Sequence, residues 1–110
     1  MILSMTVREA KAALRATYPQ IELEYESATR LLVLRNLVYQ KRFGMGYAWH
    51  AFLTLKDNDI VDAKFECHTN DTTTGVFHQS LPAPKPVWEQ LMEVCGVIGL
   101  QLKVLDAPID

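Results

Sequence analysis

From Gly46 onward the chain alternates apolar and polar residues in two runs, "GYAWHAFLTLK" and "IVDAKFECH", with "DND" between them. Side chains of a strand point alternately to its two faces, so this period predicts two half-buried strands joined as a hairpin. Trp49, Ala51, Leu53 and Leu55 share one face of the first strand. Val61, Ala63, Phe65 and Cys67 share the matching inner face of the second. With Asp57–Asp59 as a three-residue loop, Lys56 opposes Ile60, His50 opposes Glu66 and Ala48 opposes His68.

The flanking segments follow other periods. "TVREAKAALRATYP" begins with a capping box between Thr6 and Glu9, and Val7, Ala10, Leu14 and Tyr18 recur at helical spacing up to Pro19. The Lys and Arg residues between those positions are expected to form a solvated face. "IELEYE" puts Ile21, Leu23 and Tyr25 on one side of a strand and three glutamates on the other. That row offers charge to a cation or a basic partner, but an acidic solvent face that discourages edge-to-edge association is the favoured reading.

Residues 27–43 read two ways. Leu31–Leu34 forms a strand returning around a turn at "SAT", or the whole stretch is a helix closed by Lys41, Arg42 and Gly44; the strand is favoured. "VFHQSL" predicts a third strand after the hairpin, with Phe77 and Leu81 inward and His78 outward. Pro82, Pro84 and Pro86 make a stiff link, and the last suits the first turn of a helix. Val87, Leu91, Val94 and Ile98, widened by Trp88, Met92 and Cys95, then give a core-facing helical stripe. Gly96 and Gly99 loosen its end, "LQLKVL" is a closing strand, and residues 106–110 are expected to be a loose tail. Together these elements predict an α+β fold: a two-layer sandwich in which an N-terminal and a C-terminal helix pack on a mainly antiparallel sheet.

Composition narrows the picture further. At 110 residues the chain is expected to be one domain, burying roughly two-thirds of its unfolded surface without a metal or disulfide staple. Apolar residues at 49% and charged ones at 22% fit a globular domain and exclude disorder. The net charge of −2 gives no long-range attraction to nucleic acid or acidic lipid. Its distribution is uneven: residues 1–43 hold seven Lys/Arg and four Asp/Glu, and residues 44–110 hold four and nine. Two cysteines without CxxC spacing make no disulfide framework. The opening "MILSMTVREAKAAL" lacks the basic region and long apolar stretch of a signal peptide. The longest aliphatic run, Leu31–Leu34, is far short of the roughly 18–20 residues a membrane span needs. A reduced, cytoplasmic protein without a membrane partner is expected.

Candidate chemistry is sparse. "YQKRFGMGYAW" interleaves Lys41 and Arg42 with Phe43 and Tyr47, the mixture with which single-stranded nucleic acid is gripped. Lys41 to Gly44 is similar at a few positions to the central motif of RNA-recognition domains. Arg42 stands where that motif has glycine, Met45 replaces an aromatic, and this chain opens with a helix and not a strand. A glycine-rich bend leading into a long strand explains the stretch more simply, so nucleic acid is not the favoured partner. Gly44 and Gly46 supply only G-x-G with no helix following, which is not a phosphate loop.

The segment "FECHTNDTTTGVFH" is denser in reactive side chains. Cys67 next to His68 suggests a thiolate–imidazole couple, but adjacent strand residues face opposite ways, which separates them. The same rule gathers His50, Glu66, His68 and His78 on the outer face, where they offer general acid–base or zinc chemistry, or else the polar occupants of a solvated sheet side. Phe52 lies among them as a contact anchor.

No catalytic constellation, cofactor motif or metal-ligand spacing is present, so no cofactor is expected and an enzyme is not the first choice. The leading expectation is a small intracellular binding or regulatory module acting by protein–protein contact, with another protein or with copies of itself, through His50, Phe52, Glu66, His68 and His78. The alternatives are a metal-dependent or acid–base enzyme on the His50/Glu66/His68/His78 face, and a single-stranded nucleic-acid binder through residues 39–49.

Overall fold

Helix α1, Val7–Thr17, starts where the Thr6 hydroxyl accepts the Glu9 N–H and the Glu9 carboxylate accepts the Thr6 N–H, both at 3.1 Å. These bonds satisfy two donors that a helix start otherwise leaves open, and they hold the Glu9 carboxyl below its usual range. Ala10 and Leu14 are its buried face, and Tyr18 closes it by donating its N–H to the Leu14 carbonyl. The structure, a computed structural model, describes residues 6–42, 45–71, 75–80 and 83–104; for 39–42, 45–47, 69–71 and 75–80 it describes the backbone alone.

Among the described residues seven strands follow α1: β1 (Glu22–Glu26), β2 (Leu31–Arg35), β3 (Tyr39–Arg42), β4 (Met45–Lys56), β5 (Asp59–Asp71), β6 (Gly75–Ser80) and β7 (Gln101–Leu102). Helix α2, Lys85–Ile98, lies between β6 and β7. The sheet runs β1-β2-β4-β5-β6, all neighbours antiparallel. β3 pairs with β4 beyond the end of β2, and the short β7 joins the start of β5 in parallel. Of the stretch 27–43, whose last residue lies outside the described residues, the part from Leu31 to Arg42 therefore takes the strand reading and not the helical one. It is two strands and not one, because Asn36, at a left-handed φ of 63°, kinks the chain between β2 and β3. Leu37 N–H to Trp49 O and Trp49 N–H to Val38 O carry the ladder across the kink.

Both helices share one core with one face of the sheet, which is the expected two-layer α+β sandwich. Leu23, Leu32, Leu34, Ala51, Leu53 and Phe65 meet Leu14 of α1 and Val87, Trp88, Leu91, Val94 and Ile98 of α2. The Trp88 ring stands edge-on to Phe65 at 4.8 Å. α2 runs through Gly96 as far as Ile98 and ends at Gly99, whose left-handed φ of 76° suits a helix C-cap. Among the described residues no helix is long and apolar enough to cross a membrane.

The β4–β5 hairpin departs from expectation at its tip. Its loop is the two residues Asp57 and Asn58, with Asp57 at φ 56°, so Lys56 opposes Asp59 and not Ile60. A bulge follows: Leu55 pairs with Ile60 but Thr54 with Asp62, leaving Val61 unopposed. The extra residue reverses the local alternation, so Ile60 is fully buried and Val61, expected inward, is 42% exposed. It also restores the pairing further along, where His50 meets Glu66 and Ala48 meets His68 as the alternation predicts. The expected loose tail and the inward placement of Phe77 and Leu81 fall outside what the structure describes.

Candidate functional site: an imidazole cluster and an open sheet edge

Even-numbered residues of β4 point away from the helices, because Ala51, Leu53 and Leu55 fill the core. His50 is one of these, yet it is only 5% exposed, the one buried polar side chain among the described residues. This corrects the expectation of a histidine on a solvated face. The kink at Asn36 brings that residue's backbone N–H to Nδ1 of His50 at 3.2 Å, a partner for the buried ring. The Asn36 amide in turn donates to the Gln20 carbonyl at 3.2 Å. With Nδ1 accepting, neutral His50 carries its proton on Nε2.

His68 lies diagonally across the β4–β5 ladder and packs edge-on against His50, with ring centroids 4.0 Å apart. Its Nε2 is 3.2 Å from the Glu66 carboxylate, and both side chains keep partial contact with solvent. His50, His68 and Glu66 thus lie together, His50 against His68 by ring contact and His68 beside Glu66 within hydrogen-bond distance. Phe52 lies on the same face between Val33 of β2 and Lys64 of β5, and it is half-buried and not the freely exposed ring expected of an anchor. His78 is opposite His68 in the β5–β6 register, but its side chain is outside the described residues. Among the described residues no group of three or more His, Cys, Asp or Glu is placed to hold a metal ion.

The cysteines stand apart from this cluster. Cys67 is buried on the opposite face from His68, opposite Trp49 in the ladder, so the dense stretch of β5 divides between two sides of the sheet. Cys95 is buried in the α2 stripe, and burial pushes its thiol up to about 12, which keeps it protonated and unreactive. Both thiols are free. Lys41 and Tyr47 belong to the β3–β4 hairpin, where they pair with Gly46 and Gln40. The side chains of Lys41, Arg42 and Tyr47, and the whole of Phe43, lie outside the described residues.

The second feature is the sheet edge that the glutamate row of β1 was expected to guard. β1 ends the sheet, and among the described residues no strand lies on its far side. A cleft of about 390 Å³ runs between it and α1, floored by Leu14 and Ile21 and rimmed by Lys11, Arg15, Glu22 and Glu24. Its signals were present in the sequence: Lys11 and Arg15 one turn apart beside Leu14, and the glutamate alternation of β1. Only the strand order makes them neighbours of an open edge. Among known proteins, no family model, no curated protein and no solved structure matches this chain.

Proposed function

We propose that the protein is a small intracellular binding module that acts by protein–protein contact, taking an extended segment of its partner at the open edge of the sheet. The observation that supports this is β1 itself, a terminal strand with an open cleft alongside it. The outer edge of such a strand presents backbone N–H and C=O groups that an incoming strand satisfies, while alternate side chains enter the neighbouring cleft. The adjoining helix-free face, with Phe52, Glu66 and His68, extends the same contact surface. Two free cysteines suit a reducing compartment.

The test is an amide NMR titration with a pool of extended octapeptides of mixed sequence. Shifts concentrated in Glu22–Glu26, with slowed hydrogen exchange there, are the expected result. A pool that leaves β1 unmoved would overturn the reading.

A specific observation favours a second reading. His50 has a fixed tautomer and touches His68, which in turn meets Glu66, an arrangement suited to acid–base chemistry. Turnover of an activated ester that is lost in His68→Ala would support it. Hydrolysis no faster than with free imidazole would dismiss it.

A further inference from the structure

The charges around β1 specify which strand its edge admits. We infer that the segment bound between α1 and β1 carries basic side chains at alternate positions, and that a second copy of this chain is not the occupant. This inference rests on the proposed edge-strand reading and gives it a partner chemistry.

Glu22, Glu24 and Glu26 are exposed and alternate along β1 with Leu23 and Tyr25, which pack toward the core, so the three stand on one side of the strand. Glu24 has Arg35 of β2 at 3.7 Å, whereas Glu22 and Glu26 have no ion-pair partner among the described residues. A strand added to this edge places its own outward side chains directly beside these glutamates, roughly 5 Å away between Cβ atoms. Opposite charges stabilise such cross-strand pairs and like charges destabilise them. Lys or Arg at every second position therefore matches the row.

The intervening positions face the other way, into the cleft. Leu14 and Ile21 at its floor suit small apolar side chains, and Lys11 and Arg15 at its rim suit an acidic one. The preferred segment alternates basic with apolar or acidic residues over about five to seven positions, the length of β1 and its margins.

The same row excludes self-pairing. Joining two β1 strands into a continuous sheet keeps both glutamate rows on one face, so Glu meets Glu along the seam.

Three fluorescent octapeptides of alternating sequence, Lys–Val, Thr–Val and Glu–Val, test this by anisotropy, with hydrogen exchange to locate the bound peptide. The Lys–Val peptide should bind at least about tenfold more tightly than Glu–Val, three cross-strand pairs each adding a few-fold, and should protect Glu22–Glu26. Glu22→Lys with Glu26→Lys should reverse the order, and Glu22→Gln with Glu26→Gln should flatten it; melting curves confirm that both variants fold. Equal binding of Thr–Val and Lys–Val at β1 would overturn the charge inference and leave the edge reading standing. Binding of none of the three would overturn both. Lys–Val binding that ignores the substitutions, or protection of Glu22–Glu26 that grows with protein concentration alone, would also overturn the inference.

Discussion

The backbone N–H of Asn36 donates to Nδ1 of His50 across 3.2 Å, tying the kink between β2 and β3 to the middle of β4. One bond thus links a left-handed residue, a buried imidazole and the point where the long strand changes neighbours.

Removing either end of that bond should loosen the kink. His50→Ala leaves the Asn36 N–H without this acceptor and opens a cavity, an expected loss of about 2–3 kcal/mol in urea denaturation. Asn36→Gly should cost less than Asn36→Val, because glycine takes φ 63° freely while a β-branched residue is strained there. Equal stability of Asn36→Gly and Asn36→Val would show that the kink is not held in the left-handed region.

The two neighbours Cys67 and His68 should respond differently. Cys67→Ser buries a hydroxyl on the face of β5 shared with Phe65, costing roughly 1–3 kcal/mol if it finds no partner. His68→Ala, at a partly solvated position, should cost less than Cys67→Ser. Thermal denaturation of the two variants side by side decides it, and the reverse order would contradict the assigned faces.

Cys95 gives the protein a sensitivity to alkali. Burial in the α2 stripe pushes its thiol up to about 12, well above the ordinary cysteine range. A raised folded pKa contributes stability that is complete below the unfolded value and is lost as pH rises through the folded one. Stability should therefore fall between about pH 9 and 12, at up to about 1.4 kcal/mol per pH unit from this group. Cys95→Ala should make the decline shallower, as read from urea midpoints across that range. An unchanged slope would mean that the thiol is not shielded as its burial indicates.

Tyr25 tests a different kind of burial. Its hydroxyl is shut away from solvent with no hydrogen-bond partner among the described residues. Tyr25→Phe should then leave stability unchanged or raise it by up to about 1 kcal/mol. A clear loss in urea denaturation would reveal a partner for that oxygen.

Local pattern alone determined much of this protein. The capping box at Thr6 and Glu9, the stripe from Val87 to Ile98 and the alternation in β4 and β5 depend on neighbours within a few residues, so each element was legible in the sequence. So were the opposition of His50 to Glu66 and the separation of Cys67 from His68, because side-chain direction in a strand follows from the period of two.

Tertiary structure decided what distant residues share. The bulge at Val61 depends on whether the hairpin loop holds two residues or three, and the flanking alternation fits either. His50 looked like one more polar position on an outer face. In the fold it is buried, and its Nδ1 meets the N–H of Asn36, a left-handed residue fourteen positions earlier. The glutamates of β1 read as a solvated row, and they border an open cleft only because β2 pairs with β4 and leaves β1 at the end of the sheet. Strand order is set by which apolar faces can be buried together across the whole chain, and no local period encodes that choice.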